Sequence, residues 1–228
     1  MIISTYQPYF APFPGFFSKA LRSDILVLLD TVQFPQGTSW LTRNRLKNHQ
    51  GTLRLSVPVW KKGLGLQKIN EVRICHERPW QGKYLESLKM AYAKAPFIDD
   101  HLDLLEEIFS GKFKKLIDLN LRIIKYLIEY LQLSVKVCLL SQLGIDAKEP
   151  LLSVEICKKL EASHFLGQIS ARKYLDTNAF EKAGVQLEFF VFRPLVYPQL
   201  WGAFLPNLST FDLVFNCGPK ARDILKKA

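Results

Sequence analysis

The chain has 228 residues, 48% hydrophobic and 23% charged, with 12 Gly and 12 Pro, which excludes disordered and fibrous classes; a fold of this size buries roughly two-thirds to three-quarters of its extended surface without disulfide or metal staples. No apolar run approaches the roughly 20 residues that span a bilayer, residues 1–6 lack the basic start of a secretory signal, and Cys75, Cys138, Cys157 and Cys217 are scattered, so a cytoplasmic protein with reduced thiols and no metal site is expected. The net charge of +10 is local: residues 42–95 hold twelve basic and three acidic side chains, an excess of nine, and that segment should attract an anion.

Residues 1–6 form a short apolar, β-branched run that reads as a buried strand. A Pro-rich turn through residues 7–15 leads to a helical pattern over 16–22 and a second apolar run over 25–29. Strand, short helix and apolar strand predict a βαβ unit whose parallel strands are covered on both faces. Asp30 ends the second strand, which places it and the turn after Tyr6 at the carboxyl edge, where open α/β sheets bind ligands. Residues 31–50 read as a loop, while 52–59 and 69–74 alternate like strands, the former limited by Pro58 to an edge or strand end. Helical spacing predicts helices over 80–95, 99–110 and 112–133, a helix-rich insertion at about 80–133. A strand follows over 135–140, a helix over 153–162, a strand over 185–192 and a last helix over 219–227. With no repeat or linker, residues 1–228 read as one α/β domain: a parallel-sheet, nucleotide-binding-like core with an N-terminal βαβ unit and helical additions.

The segment Ser39-Trp40-Leu41-Thr42-Arg43-Asn44-Arg45-Leu46-Lys47 sets three cations and an amide beside a tryptophan. Arginine offers a planar fork of donors suited to phosphate or carboxylate, so this segment is a candidate anion clamp, or else a set of salt-bridge partners for acids elsewhere. Gln7 and Tyr9 precede a backbone stiffened by Pro12 and Pro14, and Gly15 opens a helix whose free N–H groups would favour an anion; the same residues would also make a stiff aromatic turn. Asp30 and Gln33 would position a substrate hydroxyl or amine, or Asp30 would cap its loop. Gly167-Gln168 with Lys173 and Tyr174 forms a weaker candidate. Ser209 suits a helix N-cap with Asp212 in the first turn. The four histidines lack metal-ligand spacing, and neither a G-x-S-x-G elbow nor a phosphate-binding G-x-x-x-x-G-K-[ST] loop is present.

Gln7-Pro8-Tyr9-Phe10-Ala11-Pro12-Phe13-Pro14-Gly15-Phe16, the run Ser23 to Asp30 and Val32-Gln33-Phe34 resemble the opening of the WbqC-like protein family. The resemblance continues through Ser39-Trp40, Arg43-Asn44-Arg45, Lys47, Leu55 to Val59, Tyr92 with Lys94-Ala95-Pro96, and Gly167 with Lys173-Tyr174-Leu175. It ends on Tyr197, Gln199, Phe204, Leu208-Ser209, Asp212-Leu213, Asn216 and Gly218. The family is associated with bacterial surface-polysaccharide (O-antigen) gene clusters, which implies a transferase that attaches an acyl or aminoacyl group to the amine of a nucleotide-linked sugar. On that reading Arg43, Arg45 and Lys47 hold phosphates, Asp30 orients or deprotonates the amine, and Gln7 and Tyr9 line the pocket. Ser209 and Asp212 close the site, with Gly15, Gln33, Trp40, Asn44, Lys173, Tyr174 and Tyr197 as further contacts. The opening is also distantly similar to HIGH-type nucleotidyltransferases and pantothenate synthetase, whose H-x-G-H histidines are replaced here by Phe13 and Phe16. Phenylalanine donates nothing to a phosphate, so adenylyl transfer by that machinery is not expected. The partner expected is an anionic small molecule, a nucleotide-sugar or activated acyl donor. No cofactor is specified and no oligomeric state implied. The alternatives are a non-catalytic sugar-nucleotide binder, and a nucleic-acid module using the basic quarter with Trp40, Trp60 and Trp80, which the spread of the basic residues disfavours.

Overall fold

In the computed structural model, which describes residues 1–228, the strands in chain order are β1 (Ile2–Tyr6), β2 (Ile25–Leu28), β3 (Arg43–Asn48), β4 (Gly51–Ser56), β5 (Lys136–Leu139), β6 (His164–Gln168) and β7 (Gln186–Phe190). The helices are α1 (Pro14–Leu21), α2 (Gln81–Tyr92), α3 (Leu102–Ile108), α4 (Leu116–Tyr130), α5 (Leu152–Lys159), α6 (Thr177–Lys182), α7 (Thr210–Cys217) and α8 (Ala221–Leu225). Five strands form one parallel sheet in the order β5-β2-β1-β6-β7, and β3 and β4 form a separate antiparallel hairpin.

Alternation along the strands decides the layering. Tyr6, Leu26 and Leu28 face a core shared with Phe16 and Phe17 of α1, Ile123 and Leu127 of α4, and Leu213 and Phe215 of α7. Ile3, Val27 and Phe165 face the opposite core, with Ile156 and Cys157 of α5 and Phe180 of α6. Each such fully buried side chain contributes about 1.5–3 kcal/mol. Helices therefore cover both faces, and the predicted α/β class and N-terminal βαβ unit are present, with Ile3 to Tyr6 paired in parallel with Ile25 to Leu28. Counted along the sheet's own strands, the order is third-second-first-fourth-fifth. The direction of winding reverses between β1 and β6, and crevices above such a reversal are where open α/β sheets hold ligands.

Several local expectations are corrected. The segment 31–50 is not all loop, because residues 43–48 form β3, with Asn44 and Lys47 buried although polar. Their hydrogen bonds run to distant carbonyls, so no apolar alternation marks the strand. Residues 69–74 are not a strand: a 3-10 turn over Ile69–Glu71 is followed by isolated bridges from Arg73 to Lys115 and from Ile74 to Val59. β6 and α6 have no counterpart in the sequence reading; β6 holds only two large apolar residues between His164 and Gly167. The helix expected at 16–22 begins at Pro14, whose fixed φ and missing N–H suit a first turn. The helix expected at 99–110 starts as a 3-10 turn and becomes α3 only at Leu102. No helix is long and apolar enough to cross a membrane.

Candidate functional site

A cavity of about 330 Å³ opens above the point where the sheet reverses, lined by Tyr6, Tyr9, Phe13, Trp40, Asn44, Arg45, Gln168, Phe192 and Asn207. Tyr6 ends β1 and Gln168 ends β6, the two strands that flank the reversal. Phe192 follows β7 and Asn207 precedes α7, so the walls come from segments far apart in the chain.

Aromatic rings fix the floor. Tyr6 stacks on Phe16 at 4.5 Å between centroids and meets Tyr9 edge-on at 5.9 Å, while Phe13 and Phe192 form a T-shaped pair at 5.6 Å. Burial holds the phenols of Tyr6 and Tyr9 above the usual tyrosine range, so both remain neutral hydrogen-bonding groups. Beneath Tyr6 lies the ammonium of Lys19, 4.1 Å from the ring centroid and donating to the Thr5 carbonyl at 2.9 Å.

Hairpin strand β3 supplies the cation. Successive side chains of a strand alternate sides, so Arg43, Arg45 and Lys47 project from one side and Asn44 from the other. Arg45 sits 6.0 Å from the Trp40 ring and donates to the Asn207 carbonyl at 3.4 Å, yet its buried Nε has no partner. A guanidinium on the wall of a largely aromatic cavity is suited to an anionic oxygen of a ligand. Trp40 is 46% exposed, leaving ring surface open for stacking. Asn44 is spent structurally, with its amide nitrogen donating to the carbonyls of Phe10 and Ala11 and its oxygen accepting from the Arg45 N–H. It thereby fixes the turn that carries Tyr9 and Phe13 into the wall.

The other expected residues lie elsewhere. Gln7 and Gln33 line a second, larger cavity above β2 and β5. Arg43 is exposed and lines neither cavity. Lys47 is buried, its ammonium donating to the Gln199 side chain at 3.2 Å and the Ala203 carbonyl at 2.6 Å. Asp212 is fully buried, with one oxygen accepting from the Tyr92 hydroxyl at 2.6 Å and the other from the Tyr197 hydroxyl at 2.9 Å. Its burial raises the carboxyl pKa, and both phenols are pushed upward by their own burial and, after that, by the Asp212 charge. Ser209 is also fully buried, capping α7 through the Phe211 N–H and donating to the Ala11 carbonyl at 2.8 Å. Asp212, Tyr197 and Ser209 thus brace α7 against the hairpin, and none of them lines either cavity.

Asp30 is 2% exposed and lines neither cavity, its oxygens accepting from the Ser141 N–H at 2.9 Å and the Asn70 side-chain amide at 3.4 Å. Gly15, expected either to open an anion-favouring helix start or to make a stiff aromatic turn, has the rings of Phe13 and Phe192 packed against it at the start of α1 and lines neither cavity. Lys173 and Tyr174 are exposed, stacked on each other at 4.8 Å and outside both cavities. Of the two phenylalanines at the histidine positions of the distantly similar enzymes, Phe13 enters the cavity and Phe16 is core. Tyr6, Phe13, Phe192 and Asn207 were not among the expected contacts, and Gln168 entered only through the weaker Gly167-Gln168 candidate; recognising β6 as a strand would have marked it as an end-of-strand residue.

Comparison with known proteins fits this arrangement into a family. The model of the WbqC-like protein family matches residues 7–224. An uncharacterized protein of Mycobacterium tuberculosis, Rv1507c, is 29% identical over 227 residues, covering 98% of this chain and 97% of that protein. No solved structure matches.

Proposed function

The chain belongs to the WbqC-like protein family, and from that premise we propose that it acts in bacterial surface-polysaccharide biosynthesis, binding a nucleotide-linked amino sugar at the carboxyl edge of its sheet and transferring an acyl or aminoacyl group to the sugar's amine. One observation carries the reading: the aromatic cavity over the sheet reversal, with Arg45 as the one charged residue of its lining. About 330 Å³ accommodates one ring system of the ligand, a sugar or a base, at the lower end of the usual size of ligand clefts. Trp40 and Tyr9 give that ring a stacking surface, Gln168 gives it a polar edge, and Arg45 meets the phosphate.

Titration calorimetry with a nucleoside-diphosphate amino sugar tests this. Arg45→Ala should weaken binding about tenfold or more, the scale of one charge-assisted hydrogen bond. Arg43→Ala, on exposed β3 backbone outside the cavity, should leave affinity within about twofold. Equal affinity of wild type and Arg45→Ala overturns the assignment.

A second reading, a non-catalytic sugar-nucleotide binder, is favoured by one feature: no carboxylate, histidine or thiol lines the aromatic cavity. Binding without turnover when acyl thioester and acyl adenylate donors are supplied selects it.

A further inference from the structure

The larger cavity has a different chemistry. It measures about 870 Å³ and lies above β2 and β5, so it shares the sheet's carboxyl edge with the aromatic cavity. The end of β1 contributes to both, Tyr6 lining one and the next residue, Gln7, lining the other.

Its walls carry both signs of charge, with Lys68, Lys148, Asp146 and Glu149 among them. Glu149 is already engaged, accepting from the hydroxyl and N–H of Ser153. The charged side chains of Lys68, Lys148 and Asp146 make no ion pair, since the four in the molecule join Lys89 to Glu106, Arg122 to Glu107, Lys158 to Glu155 and Lys226 to Asp223. Two cations and two anions that line one cavity without pairing with one another leave room for a guest that carries both signs of charge. A purely anionic guest would meet Asp146 as a like charge, and a purely cationic one would meet the lysines. Apolar Leu29, Val32 and Leu140 complete the walls.

We infer that this cavity binds an α-amino acid or aminoacyl moiety, with a lysine ammonium, from Lys68 or Lys148, on its carboxylate or carbonyl and Asp146 on its ammonium. Asp30 is the positioning residue of this site. Besides the bonds to Ser141 and Asn70 already described, its carbonyl accepts from the Asn70 N–H at 2.9 Å. A single buried carboxylate therefore ties the end of β2 to the turn after β5, which bears Leu140 and Ser141, and to the turn next to Lys68. That the aminoacyl moiety is the group transferred, its thioester or adenylate bond breaking as the amide to the sugar amine forms and the thiol or AMP leaves, rests on the function proposed above; its recognition does not.

The test uses the full chain and a panel of free α-amino acids, screened by saturation-transfer NMR and measured by calorimetry. At least one should bind in the millimolar range or tighter, and its analogues lacking the amine or the carboxylate should each bind about tenfold or more weakly. Asp146→Asn should reproduce the loss seen without the amine, and the pair Lys68→Met with Lys148→Met the loss seen without the carboxylate. These are exposed positions, so folding is kept and near-ultraviolet dichroism verifies it. Asp30→Ala should lower affinity while Asp30→Asn, which retains an acceptor for the Ser141 N–H, restores part of it. Arg45→Ala should leave amino-acid affinity unchanged. No binding by any amino acid, equal binding by the single-charge analogues, or full affinity in Asp146→Asn overturns the inference. Loss of nucleotide-sugar binding with amino-acid binding intact sinks the proposed function alone.

Discussion

Lys19 and Asp212 are ionisable groups that folding has withdrawn from water, and each ties stability to pH with a defined sign. Burial lowers the Lys19 ammonium from 10.5 to about 7. Between those values the unfolded chain binds more protons than the native one, so this group's contribution to stability is present above 10.5 and lost as pH falls through about 7. Urea unfolding of wild type and Lys19→Met across that window should show wild type gaining on the variant as pH rises; parallel curves would mean the ammonium remains hydrated. Asp212 has the opposite sign. Burial raises its carboxyl above 3.8, outweighing the two tyrosine hydroxyls and Lys47, which lower it. Its contribution is present below 3.8 and lost as pH rises through the higher native value. Wild type should therefore lose stability relative to Asp212→Asn as the pH climbs out of the acid range. Removing the acceptor altogether is a harsher change. Asp212→Ala leaves two buried hydroxyls without their acceptor and should cost about 2–5 kcal/mol by denaturant unfolding.

Elements meet closely where α1 begins. A Cβ at Gly15 would lie 2.7 Å from Cγ of Phe192 and closer still to the Phe13 ring. Both rings line the aromatic cavity, so Gly15→Ala should destabilise by about 1–3 kcal/mol and reshape the wall, with nucleotide-sugar affinity falling alongside the urea midpoint. A fall in stability with affinity untouched would detach those rings from binding. The same neighbourhood shows how far the sequence could be read. β1 and β2 were legible because their apolar runs are buried on both faces, and the turn between them because Pro and Gly punctuate it. β3 was hidden by its own burial: Asn44 and Lys47 satisfy their polar groups through Phe10, Ala11 and the 199–203 segment, which no local pattern encodes. Tyr9, Trp40 and Arg45 stood out as aromatics and cations close in sequence, and they share the cavity. Phe192 and Asn207 did not, since only the sheet order brings them there. Asp212 was legible as a first-turn acid of α7 but not as the partner of Tyr92, 120 positions away.

Across the whole molecule, the charge excess of residues 42–95 is less available than its count implies. Lys47 is buried, Arg45 turns into the cavity and Lys89 is paired with Glu106 at 2.9 Å. The remaining cations spread over the hairpin, the segment 57–80 and α2 instead of tracking one groove. Trp40 and Trp60, both exposed, line different cavities, so they do not form one stacking platform for successive bases. A nucleic-acid module needs several phosphates neutralised together, and its affinity falls steeply with salt as counterions are released. This surface should therefore retard single-stranded oligonucleotides only at low salt, with retention gone near the roughly 0.15 M of physiological ionic strength, where screening shortens the field to about 8 Å. Nucleotide-sugar binding should fall much less over the same range, because the Arg45 contact is shielded inside the cavity. Gel shift and calorimetry run in the same salt series separate the two. Oligonucleotide binding that persists at physiological salt while the nucleotide-sugar is ignored would make the basic quarter, not the aromatic cavity, the working surface of the protein.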